Sequence, residues 1–216
     1  AAASSGYVVA WSGNGTGDAE GVFIRRLGSA PTTSGIADLN VYTGRVSSSV
    51  ELWPAFEDEE SDDPSLAFEL VGNDNTQLFS SIIIDAETGL LTLYYAPGVS
   101  GTAELTVRAA DPGGLYVDAS LDATIACPGG DPTLYWHPQG GSDAWSTTAA
   151  NWNDQADGNG NQYYWYNDGY SAVFLNTADT VAVNGTLTYD TIEFLVSGFL
   201  IESGTSGALS PTSGNG

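Results

Sequence analysis

Apolar positions along this chain recur with a short period. In Ala103-Glu104-Leu105-Thr106-Val107-Arg108-Ala109, Leu105 and Val107 fall on one face and Glu104, Thr106 and Arg108 on the other. That alternation is what a strand with one buried side requires. No stretch sustains the i, i+3, i+4, i+7 spacing of an amphipathic helix. Short runs of Val, Ile, Leu, Tyr and Phe alternate instead with turns rich in Gly, Asn and Asp, so the chain reads as all-β. No apolar run approaches the roughly 18–20 residues that would span a bilayer as a helix.

The pattern divides the chain into segments. Residues 1–27 predict a β-hairpin, with strands at 6–11 and 21–27 around the turn Ser12-Gly13-Asn14-Gly15-Thr16-Gly17-Asp18. Residues 28–37 read as a Ser/Thr/Gly/Pro linker. Residues 38–126 predict a sandwich of about seven strands, the clearest at 49–52, 66–71, 81–85, 90–95, 103–109 and 116–125. A Pro/Gly-rich linker at 127–132 precedes residues 133–216, where aromatic residues cluster between Asn, Gly and Asp turns. Strands are expected there at 172–175, 180–183, 191–196 and 199–202. Val181, Ile192 and Ile201 lie about ten residues apart with a turn between each, the spacing of a β-solenoid. Asn14-Gly15-Thr16 and Asn184-Gly185-Thr186 are read as turns, Asn-Gly being the commonest hairpin turn. Both chain ends read as cuts in a longer polypeptide.

Charge narrows the classes of partner. Four arginines and no lysine stand against 27 acidic residues, a net charge of −23. Such a chain repels phosphate backbones and anionic membrane surfaces, so the expected charged partners are cations. A single cysteine, Cys127, excludes an internal disulfide. With His137 it would make the one conceivable thiol catalytic pair, and its Pro/Gly surroundings argue for a bystander. No enzyme site is expected.

The densest chemistry is Glu57-Asp58-Glu59-Glu60-Ser61-Asp62-Asp63. Two unit charges about 4 Å apart repel by about 1 kcal/mol even in bulk water. Such a run is either fully exposed or neutralised by a cation. Ca²⁺ suits it, because that ion takes six to eight oxygen ligands from a flexible loop. Asp58, Glu60 and Asp62 alternate, so they can converge on one ion, and Asp111 before Pro112-Gly113-Gly114 can complete the set.

Four ordered motifs carry a resemblance. They are Phe56-Glu57-Asp58-Glu59-Glu60-Ser61-Asp62, Leu66-Ala67-Phe68-Glu69-Leu70, Ile84-Asp85-Ala86-Glu87-Thr88-Gly89-Leu90, and Leu105-Thr106-Val107-Arg108-Ala109-Ala110-Asp111-Pro112-Gly113-Gly114. Over about 80 residues this resembles a bacterial cadherin-like (dystroglycan-type) domain. The resemblance implies an Ig-like Greek-key β-sandwich with Ca²⁺ at one pole, its acidic ligands mapping onto Asp58, Glu60, Asp62 and Asp111. There are departures. Glu60 and Ser61 replace the usual Asp and Gly. The acid expected soon after the first strand is missing from Val41-Tyr42-Thr43-Gly44-Arg45, where Arg45 is positive.

The other segments have resemblances too. Val8-Val9-Ala10-Trp11 and Gly21-Val22-Phe23-Ile24-Arg25-Arg26 resemble the last unit of a repeat common in bacterial surface proteins. Tyr135-Trp136, Trp145-Ser146, Ala150-Asn151-Trp152, Ala172-Val173-Phe174, Asp179-Thr180-Val181-Ala182-Val183 and Ile192-Glu193-Phe194 resemble the start of an autotransporter-associated β-strand repeat array. That implies a Trp-rich cap opening a β-helix. Its indoles are expected mainly in the core. As an alternative, Trp136, Trp145, Trp152 and Trp165 are the candidates for sugar contact.

The sequence thus points to a non-enzymatic, structural or adhesive piece of a secreted or cell-surface bacterial protein, stiffened by Ca²⁺. Its expected partners are its neighbouring domains and other surface proteins or polysaccharide. The alternatives are a carbohydrate-binding module and the non-catalytic part of a β-helical polysaccharide-degrading enzyme.

Overall fold

The structure, a computed structural model, describes residues 8–12, 22–26, 28–59, 65–126, 132–138, 142–167 and 169–212. Strands β1 (Val8–Ser12) and β2 (Val22–Arg26) pair antiparallel, from Val8 opposite Arg26 to Ser12 opposite Val22.

Nine strands follow. They are β3 (Thr32–Thr33), β4 (Leu39–Tyr42), β5 (Ser47–Glu51), β6 (Phe56–Glu57), β7 (Ala67–Asn73), β8 (Phe79–Asp85), β9 (Leu90–Tyr95), β10 (Gly101–Ala110) and β11 (Tyr116–Ala126). One sheet runs β4-β11-β10-β7 and the facing sheet β5-β9-β8, with β3-β6 as a short third pair. All pairs are antiparallel except β4 with β11. The alternation read in the sequence is realised. Ala103, Leu105, Val107 and Ala109 of β10 and Ala119, Leu121, Ala123 and Ile125 of β11 are buried against Leu91, Leu93 and Tyr95 of β9. Each fully buried leucine contributes about 1.5–3 kcal/mol, and the summed burial holds the two sheets face to face.

One expectation needs adjustment. The segment 28–37 is packed onto the sandwich. Thr32 pairs with Glu57, the Ser34 amide donates to the Ala55 carbonyl at 3.0 Å, and Ile36 joins the core. Thr32-Thr33 is too short to announce a strand by periodicity. The Asp85-Ala86-Glu87-Thr88-Gly89 turn is built by its first residue. Asp85 Oδ1 accepts from the Glu87 and Thr88 amides at 2.9 and 3.3 Å. These bonds hold the Asp85 carboxyl below its ordinary 3.8. Gly89 sits at φ +66° under the Trp53 ring, where a Cβ would meet the indole at 2.4 Å.

The C-terminal region carries β12 (Thr133–Trp136), β13 (Ala144–Trp145), β14 (Trp152–Asn153), β15 (Gln162–Tyr163), β16 (Ser171–Phe174), β17 (Thr180–Val183), β18 (Thr186–Tyr189), β19 (Ile192–Phe194), β20 (Leu200–Ser203) and β21 (Ala208–Pro211). Here parallel ladders dominate. They are β12-β16-β19, β13-β17-β20 and β18-β21. Ala172 pairs with Ile192 and Thr180 with Leu200, the same offset of 20 residues in two sheets. The antiparallel pairs β12-β14 and β14-β15 extend the first sheet to its edge at β15. Asn184-Gly185 is a turn but not a hairpin, since β17 and β18 lie in different sheets. Gly185, at φ +78°, turns the chain onto a third sheet, which is why periodicity missed β18 and β21.

Candidate functional site

Strand register sorts the sandwich loops into two poles. Ala110, the last residue of β10, lies opposite Ala67, the first of β7, and opposite Tyr116, the first of β11. Asp111 therefore follows directly beside Ser65 and Leu66. Phe56 is buried and packs tilted against Phe68 of β7 at 5.4 Å, so β6 enters at the same pole. Residues 57–59 on one side and residues 65–66 on the other thus lie at the pole of Asp111. The loop at 43–46 lies at the far pole, because Val41 pairs with Ile125 at the other end of β11.

At the acidic pole, Glu57 and Glu59 are exposed and Asp58 is half-buried. With Ser29, Ala30 and Thr32 they line a cleft of about 300 Å³. The carboxylates therefore face the chain arriving from upstream. Glu60 and Asp62 lie outside the described residues. Asp111 shapes its own turn. Its Oδ1 accepts from the Leu115 amide at 2.8 Å, its amide donates to the Leu115 carbonyl at 2.9 Å, and Gly114 sits at φ +85°. A carboxylate offers about four lone-pair directions, so this bond leaves Asp111 chemically able to ligate. Among the described residues, no group of three His, Cys, Asp or Glu side chains is assembled to hold a metal. The structure brings Asp58 and Asp111 to one pole. The donors there are hard oxygens, which suits Ca²⁺.

The described arginine side chains do not neutralise this run. Arg108 grips Asp118 with two bonds, Nε to Oδ1 at 2.7 Å and an Nη to Oδ2 at 2.9 Å, and lies 3.7 Å over the Tyr116 ring. This pairing holds the Asp118 carboxyl below its ordinary value. Arg45 donates through Nε to the Ser47 carbonyl at 2.9 Å.

The four candidate sugar contacts are core residues. Trp145, Trp152 and Trp165 are 0% exposed and Trp136 is 2% exposed. Stacking a sugar needs an accessible ring face, and none of these offers one. They pack instead on one another. Trp145 meets Trp152 at 5.1 Å and Trp165 at 4.9 Å, both edge to face, and Trp136 meets Trp152 at 5.2 Å. Such pairs add about 0.5–1.5 kcal/mol beyond area burial. Only Trp165 among the four has a classical acceptor for its indole N–H, the Thr188 carbonyl at 2.9 Å. A cleft of about 450 Å³ beside Trp136 is lined by His137, Pro138 and 175–179. His137 Nε2 lies 3.0 Å from the Ala156 carbonyl there. Cys127 lies outside the described residues.

No known family's profile matches the chain, and no curated protein matches it. Solved structures do. A PKD domain from the KIAA 1837 protein is 18% identical over 53% of this chain and 97% of its own, at a TM-score of 0.30. The human desmocollin-1 ectodomain is 12% identical over 60% of this chain and 26% of its own, at 0.33. An endo-fucoidan hydrolase of glycoside hydrolase family 107 is 17% identical over 65% of this chain and 23% of its own, at 0.33. The sandwich assignment rests on the strand order and register given above. Among the described residues, no helix is long and apolar enough to cross a membrane.

Proposed function

We propose that this chain is a non-enzymatic structural or adhesive module of a secreted or cell-surface bacterial protein. Its cadherin-like sandwich uses Ca²⁺ at the acidic pole to stiffen the approach from the upstream chain. The observation that supports this is the placing of Asp58 and Asp111 at one pole. Six carboxylates within seven residues repel one another, and a divalent ion held by Asp58, Glu60, Asp62 and Asp111 would remove that repulsion. The C-terminal region is read as the opening of a β-solenoid, supported by the shared 20-residue offset of its parallel ladders. Its indole core acts as the cap. The glycan alternative moves from the buried indoles to the cleft beside His137.

A calcium titration of the melting temperature tests the metal reading. Free Ca²⁺ at about 100 times its Kd stabilises a folded site by about 2.7 kcal/mol. Asp111→Asn sharpens the test, because an amide oxygen still accepts from the Leu115 amide while the charge is gone. Retained stability in chelator with a lost calcium response supports ligation by Asp111. Polysaccharide titrations followed by Trp fluorescence address the alternative, and a flat response discards it.

A further inference from the structure

The far pole of the sandwich carries a second device. Strand β15 is the edge of its five-stranded sheet, and an open edge offers unpaired amides and carbonyls. That edge is taken by the sandwich. The Val46 amide donates to the Gln162 carbonyl at 2.9 Å, the Tyr164 amide donates to the Gly44 carbonyl at 2.6 Å, and Arg45 bridges Tyr163 in antiparallel register. The same few residues stay bonded to their own domain. Thr43 donates to the Ala126 carbonyl at 3.1 Å, and Tyr95 donates to the Val46 carbonyl at 2.9 Å. Backbone bonding therefore runs unbroken from β9 through Val46 to β15.

Side chains close the contact. The Tyr170 hydroxyl donates to the Thr43 carbonyl at 2.6 Å, with both residues buried. Gly44 is at φ +86°, and a Cβ there would lie 2.6 Å from the Tyr164 carbonyl oxygen. The position demands glycine for its conformation and again for its neighbour. Arg45 stands close enough to the Tyr163 phenol to oppose the upward pull of burial and Asp154 on its pKa.

We infer that residues 43–46, with residues 162–164 and Tyr170, form a metal-independent splice that fixes the sandwich to the C-terminal region at one angle. This goes beyond the calcium reading and does not depend on it. It also accounts for the departure at 41–45. The segment that lacks an acid serves as a strand-like clasp, and an anionic side chain at Gly44 would meet the Tyr164 carbonyl. The two poles then divide the work. The acidic pole faces upstream and responds to ions, while the clasp faces downstream and does not.

The test is a distance between nitroxides at Glu87→Cys and Thr205→Cys, both exposed positions, in a full-length Cys127→Ser background. One narrow distance is expected, unchanged by calcium or chelator. Gly44→Ala should broaden it. Gly35→Ala is the control, since Gly35 has φ +92° with nothing within 4 Å. It carries the same backbone strain without the clash, and the distance should stay narrow. Tyr170→Phe should broaden it with the sandwich intact by circular dichroism. A broad distance in the parent overturns the splice, as does narrowing that requires calcium. A narrow distance retained in both Gly44→Ala and Tyr170→Phe removes these residues as its cause.

Discussion

The sandwich and the C-terminal region solve the same problem, burying strands, in different ways. The sandwich alternates small and aliphatic residues on long antiparallel strands, with Leu91, Leu93, Leu105 and Leu121 at its centre. The C-terminal strands are mostly two to four residues long. Strands so short bury little by alternation, and β16 is buried at all four positions. Trp136, Trp145, Trp152, Trp165 and Phe174 supply the volume instead, meeting at 4.8–5.7 Å. Aliphatic alternation suits a self-contained domain. A compact aromatic plug suits the end of a stack of short parallel strands.

The largest expected effect comes from opening either core. Trp145→Ala should cost about 3–5 kcal/mol, and Leu105→Ala about 2–5 kcal/mol. At roughly 2–4 °C per kcal/mol for a chain of this size, each lowers the melting temperature by about ten degrees. The comparison breaks or holds on how many transitions calorimetry shows. With the splice in place, both variants shift one shared transition. Two transitions, of which Trp145→Ala moves only one, would show that the regions unfold independently.

A smaller effect is expected at the clasp. Tyr170→Phe leaves the buried Thr43 carbonyl without this donor, at a cost of about 1–3 kcal/mol. It should separate the shared transition into two rather than merely lower it.

The pH response is gentler. The carboxyls of Asp85, Asp118 and Asp157 are held below their ordinary value, Asp85 by the Glu87 and Thr88 amides, Asp118 by Arg108 and Asp157 by Asn159. Folded values below unfolded ones give stability that is present above about pH 4 and lost as pH falls through the lowered values. The net charge of −23 acts in the opposite sense, since acidification lowers the self-repulsion of the compact state. In chelator the melting temperature should rise slightly from pH 7 toward about 5 and fall below about 4. A monotonic fall from neutral pH would contradict that self-repulsion.

The smallest effect concerns the outer ladders. Phe194, Leu195 and Leu200 are exposed beside β19 and β20, which end their sheets. Leu200→Ser should leave the melting temperature nearly unchanged and reduce self-association at high concentration, measured by sedimentation.

Much of the sandwich was legible because its signals are local. Leu105 and Val107 announce a face, and Asp85 with Gly89 announces a turn closed by bonds between Asp85 and residues within the next four. The acid run was legible as chemistry, and register added what sequence lacked, the placing of Asp58 at the pole of Asp111. The clasp was not legible. Thr43-Gly44-Arg45 has no periodicity and appears in sequence only as a gap in a calcium motif, and its meaning lies in Tyr164 and Tyr170, more than 100 residues away. The indoles were legible as a cluster, but only burial decided between plug and sugar platform. Strand β18 was hidden because an Asn-Gly turn looks the same whether the chain returns or turns onto a new sheet.

The expected contrast is between a pole of the sandwich that responds to calcium and one that does not. Calorimetric melting of the full chain in saturating calcium and in chelator, for the parent and Asp111→Asn, tests it most directly. The prediction is a rise of roughly 5–10 °C in the parent, little change in Asp111→Asn, and one shared transition throughout. Superimposable curves for the parent with and without calcium would contradict it.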